Sequence, residues 1–299
     1  MPTTVSLVLG GGGARGLAHI GVIEVVKERG YDIRSIVGCS MGALIGGFYA
    51  AGKLDDYRSW VGQLTEVDVL RFLDISLTAR SGFMKGDRIM DKLRGLIGDC
   101  LIEELPIPFT AVATDIVRRQ QVWINRGDLF DAIRASISVP GLFTPHIVNG
   151  RTLVDGGLLN PLPVAPSMFH QNDLTIAVSL SGREINAPFG PDPTPEPPST
   201  YGTFRVRIER FLSSLQESLG IEKEKPDEKQ LTLSGVLLAM FDTMQAAIAR
   251  YRLAAYPPDI LIEIPSNICD THEYYKAGQL IDAGRYWAGK FLTQQSGDG

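Results

Sequence analysis

Ser40 stands between Gly38 and Gly42 in the stretch GCSMG. That G-x-S-x-G spacing suits a nucleophile elbow, a sharp strand-to-helix turn that lifts a serine hydroxyl clear of a sheet edge. A side chain at Gly38 or Gly42 would collide across such a turn. A helix beginning near Met41 would then put the serine at a helix N-terminus, where free N–H groups favour developing negative charge. The plainer reading is that small residues let two backbones pack closely, which explains the glycines and leaves the hydroxyl without a purpose.

A second glycine cluster lies upstream. The run VSLVL leads straight into GGGGARG, which contains G-x-G-x-x-G as Gly11, Gly13 and Gly16. Such a loop cradles a pyrophosphate or presents N–H groups to an oxyanion, and physically the two are one device. Against the nucleotide reading, no G-K-[ST] follows the glycines, Arg15 is the loop's only cation, and the next strand ends in the serine elbow rather than in an acidic residue. If strands 1 and 2 are parallel neighbours, loop and elbow leave the sheet at the same carboxyl edge. The two motifs then support each other.

A serine nucleophile needs a proton acceptor. None of the four histidines (His19, His146, His170, His272) carries a local site signature, and each reads as structural. The stretch RTLVDGGLLNPLPV instead places Asp155 at the end of a short strand, before Gly156 and Gly157. By itself this is an Asp-Gly turn. The apolar residues that follow read as a buried return, which sets the carboxylate against the core.

These motifs need an α/β frame. Strands are expected at Val5–Leu9, Arg34–Gly38, Phe109–Thr114, Gln121–Ile124, Thr152–Val154, Leu174–Leu180 and Asp259–Ile264. Helices are expected at Ala14–Arg29, Met41–Ala51, Leu54–Leu64, Gly86–Gly98, Leu129–Ala135, Pro161–His170, Leu233–Tyr251 and Thr271–Leu292. The alternation implies a mostly parallel sheet covered by helices. Residues 183–201 hold six prolines and exclude both helix and central strand. Beyond them Phe204, Ile208, Phe211, Leu212, Leu215 and Leu219 form an apolar stripe at helical spacing, which could pack on the core or serve as a lid, a dimer face or a lipid-facing surface. The division that follows is a core over 1–182, a Pro-rich and helical insert over 183–255, and a strand and helix over 256–299 that complete the core.

Composition narrows the function classes. With 299 residues and 44% hydrophobic content the chain can bury a large core, and a net charge of −5 gives no basic field for nucleic acid. Three cysteines without paired spacing suit a reducing compartment. Cys39, beside the serine, reads as a small buried residue. No signal-peptide pattern precedes VSLVL, and no apolar run approaches the ~18 residues of a spanning helix, so a cytoplasmic protein is expected, with peripheral membrane contact left open.

GGGGARG at 10–16, GCSMG at 38–42, and ATDIVRRQQVWINRGDLFDAIRASISVPGLFTPHIVNGRTLVDGG at 113–157 occur in an order and separation that resemble the patatin-like phospholipase family, above all its bacterial members. The similarity covers about residues 5 to 180. It implies a three-layer α/β/α fold and a serine–aspartate dyad in place of a triad. Carried over, Ser40 is the nucleophile and Asp155 the proton acceptor of the D-G-[GA] motif. Gly11, Gly12, Gly13 and Arg15, with Gly16 at the end, match the oxyanion-hole segment. The implied activity is hydrolysis of acyl esters of phospholipids, lysophospholipids or neutral lipids, with no metal and no cofactor. The competing expectations are a non-catalytic nucleotide- or phosphate-binding protein and a membrane-associated regulator. Acyl length, cleavage position and oligomeric state are not read from the sequence.

Overall fold

The computed structural model describes residues 2–72, 87–140, 142–185 and 233–294, with side chains left out at 70–72, 87–88, 233–239 and 294. In chain order the strands and helices are β1 (Thr4–Leu9), α1 (Ala18–Glu28), β2 (Asp32–Cys39), α2 (Met41–Ala50), α3 (Leu54–Val61), α4 (Glu66–Phe72) and α5 (Asp87–Ile97). They continue with β3 (Phe109–Asp115), β4 (Gln120–Ile124), α6 (Leu129–Ser136), β5 (His146–Val148), β6 (Arg151–Asp155), β7 (Leu174–Gly182), α7 (Leu233–Ala255), β8 (Ile260–Pro265) and α8 (Ala277–Gln294). Chain contacts divide the protein into two units, 1–189 with 245–299, and 190–244. Within the second unit the described residues are 233–244, the N-terminal half of α7. The Pro-rich stretch from 186 onward and the apolar stripe at 204–219 lie outside the described residues.

Eight strands form one sheet in the order β5-β6-β3-β2-β1-β7-β8, with β4 added on β3. The central strands β3, β2, β1, β7 and β8 are parallel. Their side chains alternate between two faces, as a pleated strand requires. Leu7, Leu9, Ile36, Ala111, Ala113, Ile176 and Val178 join α1, α2, α6 and α8 in the larger core. Val8, Val37, Val112 and Ala177 face the other way, against Leu162, Val164 and Ala249 of α7. Helical cover on both faces of a mostly parallel sheet makes the fold a three-layer α/β/α sandwich.

The strand that positions the site is β3. Antiparallel β4 occupies one edge of it across Ala111–Asp115. Parallel β2 and antiparallel β6 therefore share the opposite edge end to end: β2 stops with Cys39 opposite Val112, and β6 stops with Asp155 opposite Ala113. Two chain ends arrive at one point from opposite directions.

Several elements differ from the sequence expectation. Pro161–His170 is no α-helix: residues 161–164 run irregularly and Ala165–Phe169 form a short 3-10 turn, because Pro163 and Pro166 remove the N–H donors a helix interior needs. The glycine helix opens with a 3-10 turn at Gly13–Leu17, and the last helix is preceded by one at Tyr274–Lys276. The short strand β5 and helix α4 had no expectation.

Candidate active site

The elbow forms where the buried strand β2 meets α2. Ser40 sits between them with φ 53° and ψ −124°, a left-handed backbone on a residue that carries a Cβ. Such a conformation costs on the order of 1–3 kcal/mol and persists only where its surroundings hold it. The serine is the N-cap residue of α2, yet its side chain makes no capping hydrogen bond, so the hydroxyl is not tied to the helix it begins. The two flanking glycines are sterically required. A methyl group on Gly38 would strike the Gly42 carbonyl, and one on Gly42 would strike the carbonyl of Leu9.

The carboxylate arrives from β6. Asp155 is 1% exposed, and its Oδ1 accepts the Gly157 N–H at 2.7 Å. The Ser40 hydroxyl approaches closely enough to stabilise the charged carboxylate, but among the described residues no donor is aligned on the buried Oδ2. Burial dominates the balance. It raises the pKa from 3.8 to about 6, against the lowering by Ser40 and by the Gly157 N–H. Asp155 is thus ionised at neutral pH and more basic than an exposed aspartate.

One short segment holds both partners. The Ser136 hydroxyl, at the end of α6, accepts the Ser40 N–H at 2.9 Å and donates to the Val112 carbonyl at 2.6 Å. Two residues on, the Ser138 carbonyl accepts the Asp155 N–H at 2.9 Å. Both serines are fully buried. The Ser138 side chain is fixed in turn by Arg134, whose Nη1 donates to Oγ at 2.6 Å. No sequence expectation singled out Ser136 or Ser138. The S-x-S spacing in RASISVP was the available signal.

The glycine loop passes directly over the elbow, and a methyl group on Gly11 would lie 3.2 Å from the Ser40 Cβ. Its polar groups divide into two sets. The Gly11 N–H donates to the Pro161 carbonyl at 2.9 Å and the Ala14 N–H to the Thr271 carbonyl at 2.9 Å. The N–H groups of Gly12 and Gly13 have no acceptor among the described residues. Arg15 is buried and donates to the carbonyls of Gly12 (3.2 Å), Leu180 (3.2 Å) and Ser266 (3.1 Å). Its guanidinium grips the loop and the ends of neighbouring strands. Gly16 lets the loop lie against α2, since a methyl there would meet the Met41 side chain.

Nearby titratable groups do not compete with the carboxylate. His19 is fully buried with Nε2 2.8 Å from the Gly10 carbonyl, and burial lowers its pKa to about 4. It is neutral, and it anchors the residue from which the glycine loop springs. The Cys39 Sγ lies 4.0 Å from Asp155 Oδ1. Burial first, and the Asp155 charge second, push that thiol well above its ordinary pKa, which suppresses the nucleophilic thiolate. His146 pairs with Asp131 at 3.3 Å on α6. Among the described residues no group of three His, Cys, Asp or Glu could hold a metal ion, and no helix is long and apolar enough to cross a membrane.

The chain as a whole is similar to known proteins. The NTE family protein Mb1092c of Mycobacterium bovis is 42% identical over 96% of this chain and 91% of its own length, and the Mycobacterium tuberculosis protein Rv1063c matches equally well. The lysophospholipase nte1 of Emericella nidulans is 32% identical over 62% of this chain, a match that spans 12% of the fungal protein. VipD from Legionella pneumophila superposes with a TM-score of 0.46 at 15% identity, over 98% of this chain and 67% of that one. The patatin-like phospholipase profile matches residues 7–168, from β1 through the glycine loop, the elbow and the Asp155 turn, and the chain belongs to the patatin-like phospholipase family.

Proposed function

We propose that the protein is a serine acyl-ester hydrolase acting on lipids, of the phospholipase A or lysophospholipase type, through a Ser40–Asp155 dyad. The Asp155 carboxylate takes the hydroxyl proton as Ser40 Oγ attacks the ester carbonyl. The tetrahedral oxyanion is received by the N–H groups of Gly12 and Gly13, which have no acceptor among the described residues, with the N-terminus of α2 adding its dipole. Collapse of the intermediate expels the alcohol, which takes the proton from Asp155. The same carboxylate then activates a water that hydrolyses the acyl-enzyme. Arg15 and Gly11 hold the loop in shape, so the donor set narrows from the whole glycine segment to two amides.

The observation that carries this reading is the meeting of a strained serine whose hydroxyl does not cap its helix with a buried aspartate whose Oδ2 has no donor among the described residues. A fold seeking only stability would not leave both. The lipid substrate is supported by the family and by the lysophospholipase name of the fungal relative. The test is labelling with a fluorophosphonate probe, together with fatty-acid release from a panel of phospholipids and lysophospholipids. Wild type should label and release fatty acid, and Ser40→Ala should do neither. Labelling that persists in Ser40→Ala, or a wild type inert on every lipid, would sink the assignment.

A further inference from the structure

Two hairpin tips project past the proposed dyad at the carboxyl edge of the parallel strands. Strand register fixes their height. Ala113 lies level with Asp155, whereas β3 runs on to Asp115 and turns through 116–119 into β4. Beside it the β5–β6 hairpin turns at Asn149 and Gly150, and the Ile116 N–H donates to the Thr152 carbonyl at 3.2 Å, tying the two hairpins together. About four residues of chain separate Ala113 from Val117, so the tips stand roughly 10 Å beyond the carboxylate.

Their side chains are unusual for turns. Val117 is 73% exposed, Ile147 69% and Ile116 43%. The β3–β4 turn is braced from within, because the buried Asp115 carboxylate accepts both the N–H and Nη1 of Arg118, each at 2.9 Å. That pairing satisfies Arg118. Arg119 and Arg151 have no ion-pair partner among the described residues. Residues 116–126 contain Arg118, Arg119 and Arg126 and no acidic residue, and residues 142–154 contain Arg151 and no acidic residue, in a chain of net charge −5. Cations are gathered here against the overall balance.

We propose that these two tips dock the protein on an anionic phospholipid bilayer. Ile116, Val117 and Ile147 enter the headgroup layer while Arg119 and Arg151 bind lipid phosphates. The proposal rests on the lipid-hydrolase reading in one respect: it sets the Ser40 entrance facing the membrane, within reach of a lipid drawn a short way out. A flat apolar patch alone would choose no partner. Exposed aliphatic tips flanked by two arginines with no ion-pair partner among the described residues match an anionic bilayer in both polarity and charge.

The test uses the full chain carrying Ser40→Ala, sedimented with vesicles of phosphatidylcholine alone or of phosphatidylcholine mixed with phosphatidylglycerol. The expected result is binding to the mixed vesicles at least about tenfold tighter than to the neutral ones, fading as salt is raised. Arg119→Gln and Arg151→Gln should each weaken it about fivefold, and Val117→Ser should weaken it further. In the otherwise wild-type chain the same three substitutions should leave turnover of soluble p-nitrophenyl butyrate unchanged, which shows the variants folded. Equal binding to both kinds of vesicle, or undiminished binding by the triple variant, overturns the docking surface. Absent ester turnover with intact, tip-dependent vesicle binding overturns the hydrolase reading and leaves the surface standing.

Discussion

The turn after β2 and the turn after β6 each deliver one member of the proposed dyad, and they are destabilised in different ways. At Ser40 the cost lies in the backbone, which is held at φ 53°. At Asp155 the backbone is ordinary, with φ −48° and ψ 135°, and the cost is electrostatic: a carboxylate 1% exposed with one oxygen unpartnered among the described residues. The nucleophile needs a direction and the base needs a pKa. Geometry supplies the first and desolvation the second, so the two costs can be separated by substitution.

The largest expected effect falls on activity and should not distinguish the turns. Ser40→Ala and Asp155→Asn should each lower kcat on a p-nitrophenyl ester by about 10⁴-fold or more, and the double variant should be little worse, because residues acting as one unit are not additive. Additive losses in the double variant would mean that the two act independently. In the wild type, kcat/KM should fall about tenfold per pH unit below pH about 6, as the Asp155 carboxylate takes up its proton. A profile flat down to pH 4.5 would remove Asp155 as the base.

Stability separates the turns. The folded pKa of Asp155 lies above its ordinary value of 3.8, so the protonated carboxyl favours folding fully below pH 3.8. That contribution is lost as pH rises through about 6. At pH 8 the folded protein carries the whole cost of a buried charge. Asp155→Asn, which keeps the shape and the acceptor for Gly157, should therefore raise unfolding free energy at pH 8 by about 3 kcal/mol, a shift of about two pH units at ~1.4 kcal/mol each. The gain should vanish near pH 4. Urea denaturation at both pH values measures it, and an Asn variant no more stable at pH 8 than at pH 4, each relative to wild type, would contradict the electrostatic account.

The sequence made one of these turns far more legible than the other. Gly38 and Gly42 announce the elbow because their absent side chains are a steric need, Gly38's against the Gly42 carbonyl within the turn and Gly42's against the Leu9 carbonyl at the end of β1. The parallel pairing of β1 with β2, and with it the common edge of glycine loop and elbow, followed from the alternation of strand and helix. Asp155 carried no such local sign, because its meeting with Ser40 depends on β2 and β6 sharing one edge of β3, a long-range event. The DGG turn before an apolar return made it a candidate, and the resemblance gave it the role of proton acceptor. Ser136 and Ser138 went unread for the same reason: their S-x-S spacing looks like any helix end until both N–H groups arrive. Arg15 illustrates the opposite case, since the only cation in an anion-binding motif invites a catalytic role and the structure turns its guanidinium onto three carbonyls.

The segment 136–138 ties the two turns together, and the Ser136 hydroxyl, which holds the Ser40 side, should give an intermediate effect. Ser136→Ala leaves the Ser40 N–H and the Val112 carbonyl unpaired in a buried site, at a cost of about 1–3 kcal/mol in stability. With the elbow no longer anchored, phosphonylation of Ser40 by a fluorophosphonate should slow by about 10- to 100-fold. Ser136→Cys retains a weak donor and acceptor and should recover part of that rate. An Ala variant that loses stability while labelling at the wild-type rate would confine Ser136 to packing.

The smallest effect isolates the backbone cost at the elbow. Ser40→Gly and Ser40→Ala both remove the hydroxyl, so their difference reports only what the Cβ costs at φ 53°. Glycine adopts that conformation freely, and relief of strain on the order of 1–3 kcal/mol should outweigh the ~1 kcal/mol that its greater unfolded-state entropy takes back. Ser40→Gly should therefore unfold at a slightly higher urea concentration than Ser40→Ala, by about 1 kcal/mol, at pH 8 and pH 4 alike. That indifference to pH sets the elbow apart from Asp155. If Ala proves at least as stable as Gly, the elbow is relaxed by its neighbours, and desolvation of Asp155 becomes the dominant cost of assembling the pair.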